Sequence, residues 1–278
     1  MDKEKGVGMG KRITDGIAGS ILVTLVIVLA IGAYARNSFW ESEIELWKDC
    51  VKKAPQKERT HHNLGYSYYE EGRLEEARKE FEEALTLNPD YALSRYNLGL
   101  VYYRKGMMKE AIDCYKKAIV LDSAPPETYY NLGLAYHQRG HYSDAVKAFK
   151  TFLKAKPDYE NAYNNLGLAY RRLKRWDQAV ESFQEELKRN PENPNAYLNL
   201  GDLYYELKDY PKALVHFKRA LTYPGLSEAE RIKKTVSSIG RSPIKKGEKD
   251  RRGINTNELI YFTPHPALPP MGGGLGRG

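Results

Sequence analysis

The stretch NLGLVYYRKGMMKEAIDCYKKAI, Asn97–Ile119, decides the fold, because its pattern returns at one fixed interval along the chain. A Leu-Gly pair stands near its start, and the same pair recurs with its glycine 34 residues further on each time, at Gly65, Gly99, Gly133, Gly167 and Gly201. A period of 34 residues is typical of solenoids built from helix-turn-helix repeats. The sequence therefore predicts five stacked repeats.

Other positions repeat with the same period. A tyrosine follows each glycine by three residues, at Tyr68, Tyr102, Tyr136, Tyr170 and Tyr204. An alanine follows by twelve residues and an aromatic residue by sixteen, the aromatic residues being Phe81, Tyr115, Phe149, Phe183 and Phe217. Glycine and alanine lack bulk, so two antiparallel helices can approach closely where these residues cross. Gly72, Gly106 and Gly140 follow at the turn between the two helices, where glycine fits without steric cost.

This pattern resembles the tetratricopeptide repeat, with Pro89, Pro157 and Pro191 at the closing position. The resemblance implies an all-α, right-handed solenoid with repeats at residues 58–91, 92–125, 126–159, 160–193 and 194–227. One position departs from the pattern in two repeats. Phe152 and Glu186 stand where the other repeats have an alanine, and we expect these larger side chains to disturb two helix contacts.

Charge distribution argues against nucleic acid as a partner. The chain has a net charge of +8, but residues 1–36 contribute +2 and residues 227–278 contribute +5, which leaves +1 for residues 37–226. A nearly neutral solenoid lacks the basic surface that nucleic acid requires. The two cysteines are too few for a disulfide framework.

An apolar run without charges, residues 17–35, follows a short leader of residues 1–16. As a helix the run would be about 28 Å long, close to the hydrocarbon thickness of a bilayer, so we predict a transmembrane helix. Lys11 and Arg12 precede it, and by the positive-inside rule the leader stays cytoplasmic while the repeats are extracytoplasmic. An A-x-A sequence at Ala33–Ala35 leaves open a cleaved signal peptide instead of an anchor. Insertion failure would leave a soluble cytoplasmic adaptor.

Further segments flank the repeats. Residues 41–57 place Trp47 at the position of Phe81, which predicts the second helix of an incomplete repeat. Residues 227–239 predict a terminal capping helix, and residues 240–278 a basic tail rich in Pro and Gly that we expect to be disordered. The residues Arg36, Asn37, Trp40, Leu46, Trp47, Pro55 and Arg59 also resemble the junction in multi-spanning glycosyltransferase-like membrane proteins, where the last transmembrane helix leads into such repeats.

Motifs of catalysis are absent from the sequence. It contains no H-E-x-x-H, G-x-S-x-G or C-x-x-C sequence, and the pair His61 and His62 lacks the further ligands that a metal requires. We therefore expect no enzyme activity, no cofactor and no metal site.

Asparagine is the polar residue that recurs, always directly before Leu-Gly, at Asn63, Asn97, Asn131, Asn165 and Asn199. The resemblance places this helix face along a concave groove, and similar asparagine ladders occur in the repeat arm of O-linked N-acetylglucosamine transferases. Two interpretations remain open: the amides hold the backbone of an extended peptide, or they serve local helix contacts. The same face is expected to present Tyr66, Tyr69, Tyr96, Tyr103, Tyr130, Tyr205, Arg104, Arg171 and Arg172. Tyrosine and arginine are enriched at binding hot spots, and the arginines suggest an acidic or carboxylate-bearing partner.

The sequence thus predicts a membrane-anchored scaffold that holds an extended segment of another protein in the assembly or localisation of an envelope complex. The alternative is the repeat portion or accessory subunit of a membrane glycosyltransferase system.

Overall fold

The computed structural model describes residues 24–29, 42–121 and 123–241, and it is helical throughout, with no strand among these residues. Residues 24–29 form a short helical segment. From Glu43 onward, the helices are α1 Glu43–Lys53, α2 Glu58–Glu70, α3 Leu74–Leu87, α4 Ala92–Arg104, α5 Met108–Ile119, α6 Glu127–Gln138, α7 Tyr142–Ala155, α8 Ala162–Arg172, α9 Trp176–Arg189, α10 Pro194–Glu206, α11 Tyr210–Ala220 and α12 Ala229–Arg241.

These helices belong to two compact units, divided between Asn88 and Pro89. In the first unit α1 packs on α2, and α2 packs on α3. In the second unit each helix from α4 to α11 packs on the next helix along the chain. This nearest-neighbour packing is typical of repeat solenoids, and it confirms the predicted all-α helix-turn-helix repeats.

Each helix pair crosses at the predicted glycine. A Cβ atom added to Gly99 would lie 2.5 Å from Cε1 of Tyr115, and one added to Gly201 would lie 2.5 Å from Cδ1 of Phe217. Both aromatic rings are fully buried. Any larger residue at these glycines would therefore separate the two helices, which explains why glycine stands at the crossing.

The turns within the repeats use a left-handed residue. Gly106 and Gly140 have φ of 77°, as the sequence predicted. In repeats four and five the same position holds Lys174, with φ of 57°, and Lys208, with φ of 63°. A side chain in this conformation is strained, so the last two repeats form the same turn at a higher energy.

Phe152 and Glu186 do not loosen the helix contacts, contrary to expectation. Phe152 is fully buried, and its ring lies 5.1 Å from that of Tyr130 and 5.2 Å from that of Tyr159. Its bulk therefore extends the aromatic core of repeat three.

Glu186 is only 2% exposed and is held by hydrogen bonds. Its carboxylate accepts from the backbone N–H of Asn161 at 2.9 Å, from that of Asn164 at 3.3 Å, and from Nδ2 of Asn193 at 3.0 Å. The N–H groups at the start of a helix have no partner within the helix, so an acceptor there stabilises α8. Burial raises the pKa of Glu186, and these donors oppose the rise.

A helix flanks the repeats at either end. Helix α12 buries Ile232 and Ile239. It is also joined to α10 by Arg231, whose Nη1 and Nη2 donate to the two carboxylate oxygens of Asp202 at 3.0 and 3.2 Å. Burial raises the pKa of Asp202, and Arg231 opposes the rise. Helix α1 buries Ile44, whereas Trp47 is only partly buried.

Only a small part of the predicted membrane span can be compared with the structure. Residues 24–29 are helical, and the side chains of residues 25–29 are 52% to 63% exposed. Within the described ranges we find no helix with the length and apolar character needed to cross a membrane. The rest of the predicted span lies outside the described residues, as do the leader and the tail after residue 241.

Candidate functional site on the first helices of the repeats

The recurring asparagines are buried. In the second unit Asn97, Asn131 and Asn165 are fully buried and Asn199 is 5% exposed, while in the first unit Asn63 is 6% exposed. Burial of a polar side chain is unfavourable unless it forms hydrogen bonds. The contacts of these amides therefore determine which interpretation of the row the structure favours.

Three of the amides join the first helices of neighbouring repeats. Nδ2 of Asn131 donates to the hydroxyl of Tyr96 at 3.0 Å, and Nδ2 of Asn165 donates to the hydroxyl of Tyr130 at 2.8 Å. Nδ2 of Asn199 donates to Oδ1 of Asn164 at 2.8 Å. These bonds favour the local-contact role, since each one links a repeat to the one before it.

The hydrogen bonds between repeats do not use all the polar atoms of the asparagine row. Among the residues that the structure describes, Oδ1 of Asn131, Oδ1 of Asn165 and both amide atoms of Asn97 are buried without a hydrogen-bond partner. A buried polar atom without a partner costs about 1–3 kcal/mol. The row on α4, α6 and α8 therefore keeps hydrogen-bonding groups that the described residues do not satisfy.

A second, accessible row runs beside the buried one. The residues seven positions after the asparagines of the second unit are exposed: Arg104, Gln138, Arg172 and Glu206. Residues seven apart lie on the same face of a helix. Sequence reasoning named Arg104 and Arg172 but missed Gln138 and Glu206, although all four share the 34-residue spacing.

Members of this accessible row are held in place by their neighbours. Nε2 of Gln138 donates to the hydroxyl of Tyr103 at 2.6 Å. The guanidinium of Arg172 lies 5.6 Å above the ring of Tyr142. Glu206 accepts from Nε of Arg171 at 2.9 Å, so the charge of Arg171 is partly neutralised. Three of the four side chains of the row are therefore held by neighbouring residues.

The predicted tyrosines differ in accessibility. Tyr96 and Tyr130 are fully buried, and Tyr103 and Tyr69 are 8% and 4% exposed. Burial raises the pKa of Tyr103 and of Tyr130. Tyr66 in the first unit and Tyr205 in the second are partly exposed. The ring of Tyr205 lies 5.5 Å from that of Tyr210.

His137 directly precedes Gln138 and is buried, with 5% exposure. Burial lowers its pKa to about 4, and the nearby charge of Arg172 adds to the shift. His137 is therefore neutral at physiological pH. Its ring packs edge-on against Tyr142, with ring centroids 5.1 Å apart.

No group of three or more His, Cys, Asp or Glu residues suited to a metal ion occurs in the described ranges. His61 faces Glu80, with Nδ1 and Oε2 2.7 Å apart, and the backbone oxygen of Pro55 lies 3.0 Å from its Nε2. These contacts assign His61 to the packing of the first unit.

The repeat pattern matches known family models. Models described as TPR repeat match residues 65–106, 105–140 and 133–174, and one described as tetratricopeptide repeat matches residues 158–223. Together they cover more than half of the chain. The chain belongs to the tetratricopeptide-repeat family.

Solved tetratricopeptide-repeat structures are similar to this one. YrrB, described as a TPR protein with an unusual peptide-binding site, is 22% identical with a TM-score of 0.62, over 69% of this chain and 99% of that one. The MamA protein is 26% identical with a TM-score of 0.57, over 63% of this chain and 94% of that one. PilF of Pseudomonas aeruginosa is 24% identical with a TM-score of 0.54, over 66% and 89%. Below 25% identity, such likeness concerns the fold alone.

A protein O-mannosyl-transferase of Caenorhabditis elegans is 28% identical over 74 residues, which are 27% of this chain. The matched segment spans only 11% of the length of that protein.

Proposed function

We propose that this tetratricopeptide-repeat chain is a protein-binding scaffold, and that the first helices of repeats two to five hold an extended segment of a partner protein. The proposal is supported most by one observation. A buried asparagine row fixes the spacing of these helices, and an exposed row of polar side chains follows it with the same period. A fixed face lowers the ordering cost of binding.

The exposed row suggests the chemistry of the partner. Arg104 and Arg172 are cationic, and Gln138 between them offers both a donor and an acceptor. Glu206 is neutralised in part by Arg171 at 2.9 Å. The row therefore fits a segment that carries acidic groups opposite the two arginines.

Charge reversal tests the proposal. The double variant Arg104→Glu and Arg172→Glu is expected to weaken capture of the native partner from membranes at least about tenfold, because two attractive contacts become repulsive. The matched control is Lys150→Glu with Lys154→Glu, two exposed positions on α7 that change the net charge equally. Capture is measured by quantitative pull-down, with circular dichroism as the check of folding.

Equal capture by the first variant and the wild type would refute the exposed row as the binding surface. Equal losses in both variants would show that net charge matters, not this row.

We also propose that residues 17–35 anchor the chain in a membrane and that the repeats lie outside the cytoplasm, in the assembly or localisation of an envelope complex. Support comes from the uncharged run and from its exposed apolar side chains at residues 25–29. Protease added to intact spheroplasts is expected to cleave the repeat region while the leader is protected. Protection of the repeats until the spheroplasts are lysed would contradict this orientation.

The rival function is an accessory role beside a membrane glycosyltransferase, favoured by the match to the O-mannosyl-transferase. It predicts co-purification of a multi-spanning catalytic subunit with the wild-type chain. It is rejected if mild-detergent purification yields partners without such a subunit.

A further inference from the structure

The second helices of the first and last repeats carry opposite charges. Helix α3 has five acidic and two basic residues, a net charge of −3, whereas α11 has three basic residues and no acidic one, a net charge of +3. The second helices between them carry smaller net charges of +1 for α5, +2 for α7 and −2 for α9. The strongest opposite charges of this kind therefore lie on α3 and α11.

Aromatic rings lie beneath the basic side chains of α11 and form what we call the aromatic floor. The rings of Tyr204 and His216 are stacked 5.4 Å apart, and those of Tyr197 and Tyr223 are stacked 6.2 Å apart. The guanidinium of Arg219 lies 5.4 Å above the ring of Tyr223. Exposed around this floor are Lys212, Lys218, Arg219 and the apolar Val215, which is 65% exposed. Tyrosine, arginine and an exposed apolar side chain together are typical of an interaction surface.

The acidic surface of α3 is also accessible. Arg78 donates to Glu75 at 3.2 Å and to Glu82 at 2.7 Å, so its charge is shared between two carboxylates. Glu83 is exposed, and the side chain of Glu76 is 43% exposed beside Arg73. The helix therefore keeps an excess of negative charge.

The two surfaces match position by position. Glu76 and Glu83 occupy the repeat positions that Lys212 and Arg219 occupy four repeats later, and each pair is seven residues apart on one helix face. Lys212 is ion-paired with Asp209 at 2.9 Å, much as Glu76 is with Arg73 at 2.8 Å. Two helix faces with equal spacing and opposite charge can pack against each other in register.

We propose that the chain self-associates, with α3 of one copy packed against α11 of a second copy. The two surfaces differ, so a copy can offer α3 to one neighbour and α11 to another, or exchange both contacts with a single partner. An acidic segment of another protein would fit α11 as well, but this chain itself carries a complement at matched spacing. The proposal is independent of the binding row on the first helices.

Charge exchange between two variants tests the proposal. The first variant is Glu76→Lys with Glu83→Arg, and the second is Lys212→Glu with Arg219→Glu. Each is made in the full-length chain, purified in a non-ionic detergent and analysed by sedimentation velocity. The wild type is expected to form dimers and larger species that dissociate when NaCl is raised from about 0.05 M to about 0.5 M, because salt screens exposed charges.

Each variant alone has two surfaces of like charge and is expected to self-associate at least about tenfold more weakly. Mixing the two variants brings opposite charges together again, so mixed dimers are expected to return. Lys150→Glu with Lys154→Glu lowers the net charge as much as the second variant does and is expected to associate like the wild type.

A monomeric wild type at low salt would overturn the proposal. So would mixed variants that stay monomeric although circular dichroism shows each to be folded. A third outcome would also overturn it: the chain stays monomeric, but α11 binds an acidic segment of another protein. In that case α11 is a binding surface for that protein.

Discussion

Repeats three and four differ at the same structural positions. Repeat three places Phe152 in an aromatic core, and repeat four places Glu186 there as an acceptor for three donors. Repeat three turns at Gly140, whereas repeat four turns at Lys174 in the left-handed conformation. One helix pair is thus stabilised by apolar burial and the other by buried polar contacts. The same backbone accommodates both side chains, because the buried carboxylate of Glu186 accepts from the donors around it.

The largest expected effect on stability concerns Phe152 in the aromatic core of repeat three. Phe152→Ala is expected to lower the free energy of unfolding by about 3–5 kcal/mol, because it removes a fully buried ring and leaves a cavity beside Tyr130 and Tyr159. Urea unfolding followed by circular dichroism measures the change. Phe152→Leu is the control and is expected to cost much less. A small effect of the alanine variant would mean that the aromatic core does not stabilise repeat three.

The next effect concerns His137 in repeat three, whose equivalent in repeat four is the ion-paired Arg171. The folded-state pKa of about 4 lies below the unfolded value of 6.5. As the pH falls below about 6.5 the unfolded chain takes up a proton first, so stability is lost until about pH 4, by about 3 kcal/mol in total. His137→Gln is expected to flatten this part of the stability profile. An unchanged profile would contradict the assignment.

Glu186→Ala gives repeat four the alanine that repeats one, two and five have at this position. The expected loss is about 2 kcal/mol, because the N–H groups of Asn161 and Asn164 lose their acceptor inside the protein. Glu186→Gln keeps one acceptor and is expected to cost less. Equal stability of the alanine variant and the wild type would show that the carboxylate is dispensable for packing.

Acidification gives a separate test of Glu186. Its folded-state pKa is raised, so the folded chain binds a proton more readily than the unfolded chain. Its contribution to stability therefore increases as the pH falls through the raised folded-state pKa. Relative to Glu186→Gln, the wild type is expected to gain stability on acidification. A loss of stability relative to Glu186→Gln on acidification would mean that folding lowers the pKa of Glu186 instead of raising it.

The smallest effect concerns the turns. Lys174→Gly is expected to raise the free energy of unfolding by about 0.5–1 kcal/mol, because glycine adopts the left-handed conformation without strain. The converse change, Gly140→Lys, is expected to lower it by about 1 kcal/mol. Thermal unfolding of both variants tests the pair. The two substitutions are expected to change the free energy of unfolding in opposite directions. A decrease in both variants would mean that Lys174 has another stabilising role.

The fold could be predicted because its determinants lie within one repeat. Glycine opposite an aromatic residue, at Gly99 and Tyr115 for example, is a local pattern that recurs five times. The role of Glu186 could not be predicted, since a glutamate at an alanine position does not indicate which helix N-terminus it approaches. The structure supplies that partner, the first turn of α8.

The candidate site was predicted only in part. The sequence places the asparagines on one helix face, but it does not show that Asn131 contacts Tyr96 of the preceding repeat, 35 residues earlier. That contact depends on how neighbouring repeats stack. Gln138 carries no charge, unlike Arg104 and Arg172, and a glutamine in the sequence does not by itself indicate a binding role.

Photocrosslinking from position 138 tests the scaffold most directly. A benzophenone amino acid replaces Gln138 in the full-length chain, a second sample carries it at the exposed Lys150 on α7, and adducts formed in native membranes are identified by mass spectrometry. We predict one discrete protein adduct from position 138 that is absent from position 150 and is lost when Arg104→Glu and Arg172→Glu are added. Identical adducts from both positions, or an adduct that survives the charge reversal, would contradict a binding surface on the first helices.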